Sequence, residues 1–200
     1  MLKKIPNATI ASIINRYQVR EQAKLLLKPS LTPNAAIEIL LKAKLYLDTV
    51  QFIAHALPMI EAISWANETL AGRIDEWDNK QIQALNSVRT WLKSPNETYR
   101  IRANQLAERL GLDVAPAWVA KAAYWSGTGS IVAADQPEVL PPAFLYGQAV
   151  SAAITIAAAV PPWPLESDGY EHYYQEAIRL GLAIAQGQCL QTTLLPLREQ

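Results

Sequence analysis

Apolar residues recur along this chain at helical spacings of three and four, and nowhere alternate with polar ones over the length of a strand. Residues 8–17 and 20–27 predict two short helices. The second ends at Lys28-Pro29, because a residue before proline is pushed out of helical geometry. Thr32-Pro33 reads as N-cap and first helical residue, with Ile37, Leu40, Leu41 and Leu45 as the stripe behind it. Leu47, Val50, Ala54 and Leu57 form the next stripe, and Pro58 opens a helix through Ile63, Ala66 and Leu70.

Asp78 is placed to cap a helix whose inner face is Ile82, Leu85, Val88 and Leu92. Ser94-Pro95 repeats the cap-and-proline start, Tyr99, Ala103, Leu106 and Leu110 follow, and Gly111 is the expected stop. Pro116 opens a helix bearing Trp118, Ala122 and Trp125, which ends in the turn Ser126 to Ser130. Asp168 is expected to cap a last helix with Tyr173, Ala177, Leu180 and Ile184 on one side. The tail from Gln188 carries Leu190, Leu194, Leu195 and Leu197 without capping logic, and either docks on the body or waits for a partner.

One stretch organises the rest. From Val139 to Leu165 there is no Asp, Glu, Lys or Arg, so a helix over Pro142 to Val160 can be surrounded on all sides. Gly147, Ser151, Thr155 and Ala159 make a smooth stripe along it. Gly181 with Ala177 and Ala185 makes a second, and the two helices are expected to pack there, since a glycine inside a helix costs about 1 kcal/mol against alanine and needs a reason. A membrane span is disfavoured. Alanine dominates where Leu, Ile and Phe would stand, Gln148 lies inside, and the nearest charges are Glu138 and Glu166 rather than a basic cluster. The fold class is therefore all-α: one domain over residues 1–200, roughly eight to ten helices around a central Ala-rich helix, with 188–200 as a docking or partner-binding tail.

Composition narrows the function. Formal charge is zero, yet eight basic residues stand against three acidic ones before Pro58, and ten against fifteen from there on. That asymmetry lacks the arginine clusters of a nucleic-acid binder and reads as a solvated basic face. The lone Cys189 forms no internal disulfide, the first residues do not read as a signal peptide, and a cytoplasmic location is expected. Trp65, Trp91, Trp118 and Trp125 read as core; Trp77 and Trp163, in or beside loops, read as surface anchors, together with Leu194 and Leu195.

Candidate chemistry is sparse. His55 lies among apolar residues and reads as a satisfied core histidine, and neither it nor His172 has metal-ligand spacing to another ligand. His172 could be oriented by Asp168, and Gly127, Thr128, Gly129 and Ser130 could present backbone N–H groups to an anion. Asp75, Glu76 and Asp78 could pair as acid and base inside a cleft, although solvated loop carboxylates are commoner. No phosphate-loop, nucleophile-elbow, zinc or dinucleotide motif occurs, so neither cofactor nor metal is expected.

Three segments carry a resemblance: Leu57-Pro58 with Glu61-Ala62 and Trp65-Ala66; Pro116-Ala117-Trp118 through Ala122-Ala123 and Trp125-Ser126-Gly127; and Pro141-Pro142 before the Ala-rich helix. On these the chain resembles an uncharacterised bacterial domain family of unknown function associated with type VI secretion gene clusters. It departs at Met59-Ile60, where basic residues would stand, and at Ser64, where a second Trp would precede Trp65. The resemblance implies a context and a partner set, and no catalytic residues. The leading expectation is a helical protein-interaction module, adaptor or chaperone-like accessory whose partner is a secretion-system component or effector. The alternative is a small enzyme or ligand binder using the 126–130 turn and His172.

Overall fold

The computed structural model describes residues 2–132, 135–161, 169–188 and 193–197. Among them there are ten α-helices and no strand. Short α1 (Ala11–Ile14) and α2 (Glu21–Lys24) lead into α3 (Pro33–Lys42), α4 (Tyr46–Ala56) and α5 (Met59–Ala71). A 3-10 turn (Ile74–Glu76) precedes α6 (Asn79–Lys93), α7 (Glu97–Leu110), α8 (Ala115–Tyr124), α9 (Leu145–Ala158) and α10 (Tyr170–Ala185).

Local chemistry sets most of these boundaries. The Thr32 hydroxyl accepts from the Ala35 N–H, with Pro33 as first residue of α3. Asp78 accepts from the Gln81 N–H while the Gln81 side chain accepts from the Asp78 N–H, a reciprocal box that satisfies two donors at the start of α6. Gly111 ends α7 at φ 76°, a conformation that a side chain would resist. The start of α7 differs from expectation: Asn96, not Ser94, is the cap, its carbonyl oxygen accepting from the Tyr99 N–H at 2.9 Å. Pro95 forces Ser94 out of helical geometry, and the better-placed amide takes over.

The central helix is α9, packed against α4, α5, α8 and α10. It begins at Leu145 rather than Pro142, because Phe144 turns into the left-handed region at φ 63° and the Leu145 N–H closes a turn onto the Pro142 carbonyl. At about 1.5 Å rise per residue its 14 residues extend about 21 Å, short of a bilayer's apolar core of about 30 Å. No described helix is long and apolar enough to cross a membrane.

Both small-residue stripes serve larger partners than expected. α9 and α10 are neighbours, but the bare Cα of Gly181 receives the Trp65 ring of α5, and that of Gly147 receives the His55 ring of α4. Trp65 and Trp91 are fully buried as expected, whereas Trp118 and Trp125 are half-buried and meet edge to face at 6.3 Å.

Candidate functional site

The described part of the tail lies on α6. The capping box fixes the start of that helix, and its inner stripe of Ile82, Leu85 and Val88 is fully buried. That leaves Asn86 and Arg89, one turn apart, at the edge where the tail crosses. The Asn86 side-chain amide grips one residue at both backbone atoms: its Nδ2 donates to the Leu195 carbonyl at 2.9 Å, and its Oδ1 accepts from the Leu195 N–H at 2.7 Å. Arg89 donates from Nη1 to the Thr193 carbonyl.

Arg89 also has partners outside the tail. Only 3 % exposed, it donates from Nε to Asn67 Oδ1 at 2.8 Å, and its Nη2 pairs with Glu68 at 2.7 Å. Asn67 in turn donates to the Leu85 carbonyl at 3.0 Å. Burial pushes the Glu68 carboxyl above its ordinary range, and the neighbouring Arg89 pulls it back down. Leu195 packs against the core, while Leu194 and Leu197 are 55 % and 50 % exposed.

Of the other expected anchors, Trp77 is corrected. It is 2 % exposed, and its indole N–H donates to the Leu70 carbonyl at 2.8 Å, so it closes the end of α5 instead of facing solvent. Its position beside an acidic loop suggested a surface ring, but the 3-10 turn folds the side chain back under α5. Trp163 lies outside the described residues, as do Asp168, Cys189 and Leu190.

The 126–130 turn is built around Arg100, which is fully buried. Its guanidinium forks onto Glu97 with two contacts of 2.6 Å and donates to the carbonyls of Tyr124 at 2.8 Å and Ser130 at 2.6 Å. A Cβ on Gly129 would come within 2.8 Å of Arg100. The Ser130 hydroxyl accepts from the N–H groups of Val132 and Val139, so it closes its own loop. Gly127 sits exposed at φ 86°. This turn organises local structure.

His172 stands apart from it, exposed on α10 at the rim of a cavity of about 560 Å³ between α5, the 3-10 turn and α10. Glu68, Thr69, Arg73, Asp75, Glu76, Tyr173 and Glu176 also line it, and no residue of the 126–130 turn does. The structure therefore brings His172 together with Asp75 and Glu76, and leaves Gly127, Gly129, Ser130 and Asp78 elsewhere. Of this lining, Thr69 and Tyr173 are more than nine-tenths buried, and their hydroxyls, closed off from solvent, have no hydrogen-bond partner. Arg73 donates to the carbonyls of Ala157 and Val160 at 2.7 and 2.6 Å and lies over the Tyr173 ring, tying the end of α9 to α10.

His55 is buried, as expected, with Nδ1 2.8 Å from the Gln51 carbonyl and its ring stacked on Tyr17 at 4.5 Å. The expectation of full satisfaction is corrected: Nε2 has no partner. No group of three or more metal-ligating side chains occurs among the described residues.

A family model matches residues 36–185 of this chain. The chain belongs to DUF6931, a family of unknown function. The DUF6931 match runs from α3 to the last residue of α10, so it includes Asn86 and Arg89 and stops short of the tail they hold. No curated protein and no solved structure matches.

Asn67, Asn86, Arg89 and Arg100 went unnoticed in the sequence. A signal was there for Arg89 and Arg100: each lies beside the apolar stripe of its helix, where a solvated arginine would be unexpected.

Proposed function

We propose that this DUF6931 protein is a helical protein-interaction module, an adaptor or chaperone-like accessory of a bacterial secretion machine, working in the cytoplasm as one folding unit with a contact tail. The observation that carries the reading is the tail on α6, where Leu194 and Leu197 face solvent on a segment whose backbone is held from below. Leucines presented on a fixed backbone lose little conformational entropy when a partner covers them. The resemblance to a family of type VI secretion clusters supplies the context, and a component or effector of that machine is the partner.

The test is affinity capture of the tagged chain from its own cells, with mass identification of what elutes and reciprocal capture by the tagged partner. A stoichiometric partner that is lost when Leu194 and Leu197 are both changed to Asp supports the reading. Capture that is indifferent to both leucines overturns it.

A second reading, a small-ligand binder, draws on the cavity at His172, whose lining of Thr69, Arg73, Asp75, Glu76 and Glu176 is polar enough to suit a polar ligand. The 126–130 turn contributes no lining there. Metabolite-library thermal shifts that vanish on Thr69→Val would favour this reading over the first.

A further inference from the structure

We propose that the groove along α7 lined by Arg102 and Arg109 receives an acidic amphipathic helix of another protein, which pairs its carboxylates with the two arginines and its apolar side with Ile101 and Leu106. This rests on the interaction-module reading and gives the partner its chemistry.

The charge of the groove is the first support. Eight arginines stand among the described residues, and the fold engages six of them. Arg16 donates to the His55 carbonyl and Arg73 to those of Ala157 and Val160, while Arg20, Arg89, Arg100 and Arg179 meet Asp48, Glu68, Glu97 and Glu176. Arg102 and Arg109 are the other two. Both are exposed, neither has a hydrogen-bond or ion-pair partner among the described residues, and both line the same groove of about 710 Å³. Glu97, the acidic residue of that lining, is already taken by the Arg100 guanidinium through two contacts of 2.6 Å. From Pro58 on, fifteen acidic residues stand against ten basic ones, so the groove is a basic exception in the acidic part of the sequence.

Spacing is the second support, and it selects a helix. Seven residues are about two turns, so Arg102 and Arg109 share a face of α7 about 10 Å apart along its axis. Half-buried Ile101 and Leu106 add an apolar strip to the lining, and Gln83 joins it from α6. From Thr98 to Arg109 the lining runs about 16 Å, the length of three turns of a second helix. Two cations at two-turn spacing beside an apolar strip suit a helix with carboxylates seven residues apart and apolar residues on the adjoining face. A nucleic-acid backbone would answer the arginines and leave Ile101 and Leu106 uncovered.

Location is the third support. Gln83 stands three residues before Asn86 on α6, so the groove lies about one turn from the seat of the tail. With the tail in place, a single partner can cover the exposed Leu194 and Leu197 and also reach the two arginines.

The test places the photo-cross-linker benzoylphenylalanine at Gln105, an exposed residue of the groove between the two arginines in sequence, in the full chain expressed in its own cells. Irradiation is followed by mass-spectrometric mapping of the cross-linked peptide. The experiment is repeated with Arg102→Glu/Arg109→Glu and with Arg102→Lys/Arg109→Lys, with circular dichroism as the folding control. The expected product joins Gln105 to a segment of a different protein that carries Asp or Glu seven residues apart. Its yield falls at least tenfold in the Glu variant and stays within about twofold of the parent in the Lys variant, since the pairing is one of charge. No cross-linked protein, a segment without such carboxylates, or a yield indifferent to charge reversal overturns the proposal. A product with nucleic acid or with a second copy of this chain overturns it as well. Partner capture that depends on Leu194 and Leu197 with nothing cross-linked at Gln105 sinks the groove alone; a charge-dependent cross-link that survives Leu194→Asp/Leu197→Asp sinks the contact tail alone.

Discussion

The indole of Trp65 lies against the bare backbone of Gly181 and donates to the Ala177 carbonyl one turn earlier, at 2.7 Å. A Cβ at Gly181 would come 2.8 Å from Cε2 of that fully buried ring. Alanine gains about 1 kcal/mol of helix propensity, but overpacking a rigid aromatic costs about 1–3 kcal/mol, so Gly181→Ala is expected to destabilise on balance. Urea unfolding followed by tryptophan fluorescence checks the sign, and a variant more stable than wild type would show that Trp65 yields.

Arg100 should matter far more than the carboxylate it pairs with. Arg100→Met leaves the carbonyls of Tyr124 and Ser130 without their donor, with an expected loss of about 2–4 kcal/mol. The Glu97 side chain is 57 % exposed, so Glu97→Gln is expected to cost no more than about 1 kcal/mol. Thermal unfolding of the two variants side by side distinguishes a buried organiser from a surface ion pair.

Trp77 should behave as core. Trp77→Ala is expected to lose about 3–5 kcal/mol, and Trp77→Phe about 1 kcal/mol, the worth of one hydrogen bond to Leu70. Partner capture by the folded Trp77→Phe chain should equal that of wild type, in contrast to Leu194→Asp.

Acid should weaken the fold through His55. Burial, with some help from the Arg16 charge, holds its pKa below the ordinary 6.5, and the Gln51 carbonyl pulls the other way. The unfolded chain takes up a proton on this imidazole as pH falls through about 6.5, while the folded chain takes it up only at lower pH. This contribution is complete above pH 6.5 and is lost progressively below it, down to the folded value. Buried Asp48 and partly buried Glu68, whose carboxyl pKa values are raised, act in the opposite direction and are common to both chains in the comparison. Stability between pH 7.5 and 5.5 is therefore expected to fall more steeply for wild type than for His55→Gln; equal slopes would assign the acid response to other groups.

What the sequence disclosed followed from the range of the forces involved. Thr32 with Pro33, Asp78 with Gln81, and Gly111 act within one turn of their own positions, and each boundary was legible in place. Ser94 was misread because two residues within reach could cap α7, and the order Ser-Pro-Asn gave the better geometry to Asn96. Trp77 shows that a loop-side position says little about burial. The seat of the tail was the least visible feature: Asn86 and Leu195 stand 109 residues apart, and no local pattern links an asparagine on one helix to the backbone of a distant extended segment. Gly181 advertised a close neighbour through its cost in a helix, but not which ring would fill the space.

The position of α9 has a consequence for how the chain is made. Its neighbours α4, α5 and α8 all precede it, and α10 follows. Synthesis proceeds from the N-terminus, so the faces of α4, α5 and α8 that α9 covers stand open to water until residues 145–158 have left the ribosome. A transcript cut short between α8 and α9 would deliver a chain with nearly all its helices and an uncovered apolar seam. Such a chain is a candidate for aggregation and chaperone capture, which makes the uncharged segment the point at which this polypeptide closes its apolar core.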